Sequence, residues 1–149
     1  MKKDADNIII VKSKSFALEI IQIYSYLCDT KKEYVLSKQM LRSGTSIGAN
    51  VKEAVRAQSK ADFHAKMNIA LKEASETEYW LELLTESKII VKEQADQLLF
   101  RCRELLRMLT SIVKIVSHSK FHISHRMTIH CTLSIIHCAL CIVHFFVLS

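Results

Sequence analysis

The sequence predicts an all-α protein, an antiparallel up-down-up-down four-helix bundle, on three observations. The chain of 149 residues contains no Pro and only two Gly, which leaves few residues for the tight turns of strand-rich folds, while Leu, Ile, Ala, Glu and Lys favour helices. Before residue 117 the apolar residues recur at alternating spacings of four and three, as in helices that pack around a shared axis. Short polar breaks separate four such segments, so consecutive helices should lie antiparallel.

Each predicted helix carries one apolar stripe. The first helix is expected over about residues 12–30 and the second over about residues 33–57. The third begins after "SKAD", where Ser59 is a suitable N-cap and Asp62 follows three residues later. The stripes are Phe16, Ile20, Ile23 and Leu27 in the first helix; Met40, Gly44, Ile47, Val51 and Ala54 in the second; Phe63, Met67, Ala70, Ala74, Thr77, Leu81 and Leu84 in the third; and Ala95, Leu98, Cys102, Leu105, Leu109, Ile112 and Val116 in the fourth.

Both glycines of the chain, Gly44 and Gly48, fall within one stretch of the second helix, "QMLRSGTSIGAN". Gly44 lies on the apolar stripe and Gly48 one turn further on, so together they form a strip without side chains. Each costs roughly 1 kcal/mol relative to Ala inside a helix, and close packing into the gap recovers that cost. We predict a packing notch here, with Trp80 and Tyr79 of the third helix as candidates to fill it.

Four cations of the second helix are predicted to share one face. On an ideal helix of about 100° per residue they fall within an arc of roughly 80°, on the side away from the apolar stripe. This basic stripe consists of Lys38, Arg42, Lys52 and Arg56. Its cations can contact phosphates independently of base sequence and in a salt-sensitive manner, so the stripe is a candidate nucleic-acid-binding site. The alternative is an ordinary solvated face, since helix surfaces are normally charged.

An acidic ladder, Glu78, Glu82 and Glu86, follows one face of the third helix at four-residue intervals. Opposite charges on successive helices could pair within the bundle or across a boundary between subunits. Exposed pairs contribute only about 0–1 kcal/mol each. They would therefore determine how helices or subunits are oriented more than how tightly they associate. The ladder therefore supports a second hypothesis, a structural or scaffold oligomer whose charged faces serve only subunit contacts.

The residue pattern favours neither an enzyme nor a metal or cofactor site. A di-iron carboxylate bundle needs two Glu-x-x-His motifs and two further glutamates, whereas Glu73-x-x-Glu76 lacks the histidines and the only histidine before residue 118 is His64. We interpret His64 as a surface or cap residue, and Cys28 and Cys102 as small core residues. The five cysteines indicate neither a disulfide framework nor a zinc site, and a cytoplasmic location is expected.

The C-terminal residues 118–149 differ in composition from the rest of the chain. They hold six of the seven histidines and no acidic residue, and no charged side chain follows Arg126. The net charge is +4 for residues 1–117 and +2 for residues 118–149. We therefore predict a bundle over residues 1–117 and an apolar, His- and Cys-rich extension over residues 118–149.

Several interpretations of this extension stay open. Histidines at seven-residue spacing, His130, His137 and His144, would lie about 10 Å apart along a helix, too far to share one ion. Imperfect repeats such as "TIHC" and "SIIHC" favour a low-complexity extension of the reading frame. The other interpretations are a C-terminal membrane anchor over residues 128–149, disfavoured by its histidines and polar residues, and an additional packed helix or strand.

Two long motifs carry a family resemblance. The stretch "QMLRSGTSIGANVKEA" resembles the most recognisable motif of the four-helix-bundle proteins named for the intervening sequences in bacterial 23S ribosomal RNA genes. The stretch "SKADFHAKMNIALKEASETEYWLELL" resembles the third helix of that family, and "KSFALEII" resembles its first helix. The resemblance covers about residues 8–117 and leaves out the C-terminal extension, which departs from the family pattern.

The resemblance implies more than the residues show by themselves. It implies a left-handed antiparallel four-helix bundle that assembles as a ring, a pentamer in known members. Through a similar protein that accompanies diversity-generating retroelements, it also implies nucleic-acid binding. We therefore expect a non-enzymatic, self-assembling bacterial protein that binds RNA or DNA through the basic stripe.

Overall fold

The computed structural model describes residues 7–117, which form four α-helices and no strand. The helices are α1 (Ile8–Asp29), α2 (Leu36–Ala54), α3 (Lys60–Glu86) and α4, which occupies residues 92–117. The chain divides into two units after Val113, and the first unit contains α1, α2, α3 and α4 as far as Val113. The predicted all-α four-helix fold is confirmed, whereas the predictions for residues 118–149 fall outside the described residues.

One face of every helix lines a single hydrophobic core. Almost all predicted stripe residues are buried, and the three that are only half-buried are Phe63, Ile112 and Val116. The core also includes apolar residues that the stripes left out, namely Ile9, Ile10, Ile90 and Leu99. The period of the apolar residues thus identified the face that each helix turns inward.

Neighbouring helices run in opposite directions. In three pairs of neighbours, contacts join the earlier part of one helix to the later part of the other. These contacts are Ser13 with Gly48 and Ile20 with Gly44; Arg42 with Glu76 and Glu53 with Lys66; and Lys12 with Glu104 and Glu19 with Arg101. The last two ion pairs join α1 to α4 and close the bundle. The left-handed twist implied by the family resemblance stays a prediction.

Helix α2 is shorter than predicted because side chains define where it begins. Glu33 lies before the helix, and its carboxylate accepts hydrogen bonds from the backbone N–H groups of Val35, Leu36 and Ser37 at 3.0, 2.8 and 2.7 Å. Partial burial by itself would raise the pKa of Glu33, but these backbone hydrogen bonds lower it below its ordinary value. Glu33 therefore satisfies the first N–H groups of α2 from outside the helix.

The other helix ends differ from the expectation by a few residues. Helix α1 begins at Ile8 rather than near residue 12, because Ile9 and Ile10 are buried and extend its apolar face. Ser59 caps α3 as predicted, accepting a hydrogen bond of 3.1 Å from the N–H of Asp62. Because Ser59 is the N-cap, α3 begins at Lys60 and not after the "SKAD" stretch.

Cys102 of α4 is a small core residue, as predicted. Its side chain is fully buried, and its thiol lies 3.3 Å from the carbonyl oxygen of Ala74. Burial, assisted by the charge of Glu78, raises the pKa of the Cys102 thiol to about 12. Cys28, in contrast, is only half-buried.

Candidate nucleic-acid interface

The basic stripe spans α2 and the turn that follows it. Lys38, Arg42 and Lys52 lie on α2 and are exposed, whereas Arg56 lies beyond the end of the helix at Ala54. The N–H of Arg56 donates to the carbonyl oxygen of Glu53 at 2.9 Å, a turn rather than a helix hydrogen bond. The expectation that all four cations share one continuous helix is therefore wrong for Arg56.

The cations of the stripe differ in their partners. Arg42 donates from Nη2 to Oε1 of Glu76 on α3 at 2.6 Å. Lys38 and Arg56 take part in no ion pair within residues 7–117. An anionic ligand would thus meet two cations without a carboxylate partner in the described chain and one, Arg42, whose charge Glu76 partly neutralises.

The polar side chains around Arg42 are hydrogen-bonded to their own helix. Thr45 donates to the carbonyl oxygen of Leu41 at 2.8 Å, and Ser46 donates to that of Arg42 at 2.7 Å. Such bonds to the preceding turn are typical of Ser and Thr inside helices. Thr45 and the exposed Ala49 are small, so no bulky side chain projects from the helix surface between the cations.

The two glycines of α2 face α1, not α3. A Cβ atom added at Gly44 would lie 2.9 Å from both Cγ atoms of Ile20, closer than real Cβ contacts. A Cβ atom at Gly48 would lie 3.5 Å from the backbone oxygen of Ser13, an ordinary van der Waals distance. The expectation that Trp80 or Tyr79 fills the space beside these glycines is therefore wrong.

Trp80 instead joins the charged network on the outside of α2 and α3. Its indole Nε1 donates to Oε1 of Glu76 at 3.1 Å, the same oxygen that accepts from Arg42. Its ring meets the Tyr79 ring edge to face, with centroids 5.2 Å apart and planes at 61°. The sequence alone did not indicate this cluster, for two reasons. Arg42 lies on a different helix from Glu76 and Trp80, and Trp80 was expected to pack against the glycines.

The acidic ladder of α3 is mostly paired within the bundle. Arg103 of α4 donates to Glu78 at 2.6 Å and to Glu82 at 2.8 Å. The hydrogen bond to Glu78 raises the pKa of the Arg103 guanidinium further. Glu78 and Glu82 thus have a partner in their own chain, while Glu86 is exposed. Position 103 falls outside the stripes and motifs analysed above, and the antiparallel packing of α3 and α4 brings it to the ladder.

Within residues 7–117, no group of three or more His, Cys, Asp and Glu residues is arranged to hold a metal ion. No helix in this part of the chain is both long and apolar enough to cross a membrane. His64 lies in the second turn of α3, where its ring nitrogens are 3.1 and 3.3 Å from the amide nitrogen of Asn68.

The geometry defines a small four-helix bundle whose second helix carries exposed cations and whose third helix carries more acidic residues than any other helix. The sequence profile of the 23S rRNA-intervening sequence proteins matches residues 5–111. The chain belongs to this family.

A solved relative has the same fold. It is a protein of unknown function from the S23 ribosomal protein family of Bacteroides thetaiotaomicron, and its crystal structure was solved at 1.70 Å resolution. Its sequence is 52% identical to this chain, and the superposition has a TM-score of 0.71 and covers 72% of this chain and 99% of the relative. A comparison with curated proteins found no match.

Proposed function

We propose that this protein is a non-enzymatic, self-assembling bundle that binds RNA or DNA through the basic stripe, Lys38, Arg42, Lys52 and Arg56. The observation that carries the proposal is the separation of charge between neighbouring helices. Helix α2 contains three cations and one acid, and Arg56 lies two residues beyond its end, whereas α3 contains three lysines and six acids. A polyanion would therefore be attracted to α2 and repelled from most of α3.

The chemistry of the stripe suits phosphates better than bases. Lys and Arg neutralise phosphates and release counterions, which makes binding depend steeply on salt and little on sequence. The small residues Thr45 and Ala49 between the cations leave room for a sugar-phosphate backbone to approach the helix.

The proposal predicts the effect of the double variant Lys38→Gln with Arg56→Gln. Neither residue forms an ion pair within the described chain, so their loss should leave the fold intact. Binding to both RNA and DNA should weaken, and the slope of log K against log salt should become shallower by about two units. Fluorescence anisotropy at several salt concentrations measures both quantities.

The matched control is Lys88→Gln with Lys92→Gln. These lysines are also exposed and also form no ion pair within residues 7–117, but they lie in the turn before α4 and at the start of α4. This variant has the same net charge as the stripe variant. Equal losses of affinity in the two variants would show that total charge, not the stripe, determines binding.

Self-assembly is the second part of the proposal, and the exposed face of α1 supports it. Four branched aliphatic side chains there are exposed by 44–61%, and Phe100 of α4 is exposed by 66%. The aliphatic residues are Ile8, Val11, Leu18 and Ile21. An exposed apolar face of this extent is typical of a protein interaction surface. The family resemblance suggests a ring, with five subunits as the first hypothesis.

Sedimentation of the full chain tests this assembly. We expect a species several times heavier than the 17.1 kDa chain at micromolar concentration. The variant Leu18→Glu with Ile21→Glu should shift it to monomer, because a charge in an apolar interface is costly to desolvate. A wild-type monomer would contradict self-assembly. An oligomer that binds no nucleic acid would instead favour the alternative function, a structural scaffold.

A further inference from the structure

Tyr79 is an exposed aromatic side chain held in place by a neighbouring ring. It lies on the outer face of α3 and is 54% exposed. Trp80, which packs partly against the core, meets it edge to face at 5.2 Å between centroids. This contact limits the motion of the Tyr79 ring, while the rest of the ring remains accessible to solvent. A restrained, accessible aromatic ring is suited to stacking on another flat π-system.

Continuous contacts connect this ring to the basic stripe. Trp80 donates to Oε1 of Glu76 at 3.1 Å, and Arg42 donates to the same oxygen at 2.6 Å. Glu76 is the acidic residue in this series of contacts, and it forms an ion pair with Arg42. Contacts through Trp80 and Glu76 therefore link Tyr79 to Arg42, a cation of the proposed phosphate-binding surface.

The acids nearest to Tyr79 in sequence, Glu76, Glu78 and Glu82, are paired with Arg42 or Arg103, so the more distant charges of α3 distinguish the two sides of Tyr79. The exposed Lys72 lies seven residues before it, about 10 Å along the helix. Glu86, exposed and acidic, lies seven residues after it and bounds the surface at that end. A polyanion bound to α2 that reaches Tyr79 would thus continue towards Lys72 and away from Glu86.

We propose that Tyr79 stacks on an unpaired base of a nucleic acid whose phosphates contact Arg42 and Lys72. This inference rests on the proposed function and narrows its ligand to single-stranded RNA or DNA, or to an unpaired loop. In a duplex the faces of the bases are covered by their neighbours, so a side chain on a helix surface cannot stack on them. In a single strand the faces are free, and stacking tolerates any base sequence.

The test compares a single strand and a duplex of the same length, as RNA and as DNA, on the full-length protein. Tyr79→Ala should weaken binding to the single strand by about tenfold, the order of magnitude for the loss of one stacked base. Binding to the duplex and the salt dependence should stay unchanged, because no phosphate contact is lost. Tyr79→Phe, which keeps the ring, should bind as the wild type does.

Tyr34 provides the matched control. It is 55% exposed but lies in the connection between α1 and α2, so Tyr34→Ala removes an equally exposed ring that is not part of the contacts joining Tyr79, Trp80, Glu76 and Arg42. Tyr34→Ala should bind the single strand like the wild type. A second variant, Tyr79→Leu, keeps an apolar side chain on α3 without a ring and should lose as much affinity as Tyr79→Ala. Thermal unfolding of each variant verifies that the bundle is folded.

Trp80 gives an independent readout because it is the only tryptophan of the chain. Binding of a single strand should change its fluorescence in the wild type and in Tyr34→Ala, and change it less in Tyr79→Ala. Single-strand affinity that is equal in the wild type, Tyr79→Ala and Tyr79→Leu would overturn the inference and leave the proposed function intact. A wild type that binds neither strand form at low salt would overturn both.

Discussion

Replacing Gly44 with alanine should make the bundle less stable than the same replacement at Gly48, by about 1–3 kcal/mol in the free energy of unfolding. At Gly44 the added methyl group would meet both Cγ atoms of Ile20 at 2.9 Å. These atoms belong to a fully buried, β-branched side chain, which has few alternative rotamers. At Gly48 the methyl group would lie at an ordinary distance, 3.5 Å, from the backbone of α1.

The comparison of the two variants isolates the packing effect. Both replacements gain roughly 1 kcal/mol of helix propensity, so this gain cancels in the difference. Gly48→Ala alone should be as stable as the wild type or slightly more stable. Urea unfolding of the three proteins measures these values. Equal stabilities of Gly44→Ala and Gly48→Ala would contradict the close packing of Ile20 against Gly44.

Thr77→Val should lower the free energy of unfolding by about 1–2 kcal/mol, because it removes a buried hydrogen bond between α2 and α3. The Thr77 hydroxyl lies 2.9 Å from Oγ of Ser43 and 2.7 Å from the carbonyl oxygen of Glu73. Both hydroxyl residues are fully buried. Valine keeps the shape of threonine but leaves the Ser43 hydroxyl without its hydrogen-bond partner on α3.

A double-mutant cycle checks the interaction between these residues. In the presence of Thr77→Val, Ser43→Ala should cost less than it does in the wild type, since it then removes a polar atom that has already lost its partner. Ser43 also lies 3.1 Å from the carbonyl oxygen of Gln39, so some cost remains. Additive effects of the two substitutions would contradict a direct hydrogen bond between α2 and α3.

The helical stripes were predictable from sequence because burial depends on the face of a helix, which recurs every 3.6 residues. The helix ends were less predictable. Helix α2 begins where Glu33 accepts three backbone hydrogen bonds and ends at Ala54, and neither feature changes the apolar period. The early end places Arg56 in a turn, so an angle calculated on a continuous helix does not apply to it.

The candidate site was predictable only in its composition. The sequence indicated which cations share the outer face of α2, but not that Arg42 is paired with Glu76, because that contact spans 34 residues. It also suggested Trp80 as a filler for the glycine notch, whereas tertiary packing places Ile20 there. Contacts between helices depend on their register, and one sequence does not specify register from spacing alone.

The most direct test of the central claim is a salt titration of nucleic-acid binding by the wild-type, full-length protein. Anisotropy of labelled RNA and DNA strands is measured as the salt concentration rises from low to physiological. The account predicts measurable binding at low salt and a linear fall of log K with log salt, because each phosphate contact by Lys or Arg releases counterions. The fall should be shallower in Lys38→Gln with Arg56→Gln. Absence of binding at low salt, or binding that does not respond to salt, would contradict the claim that the basic stripe binds nucleic acid.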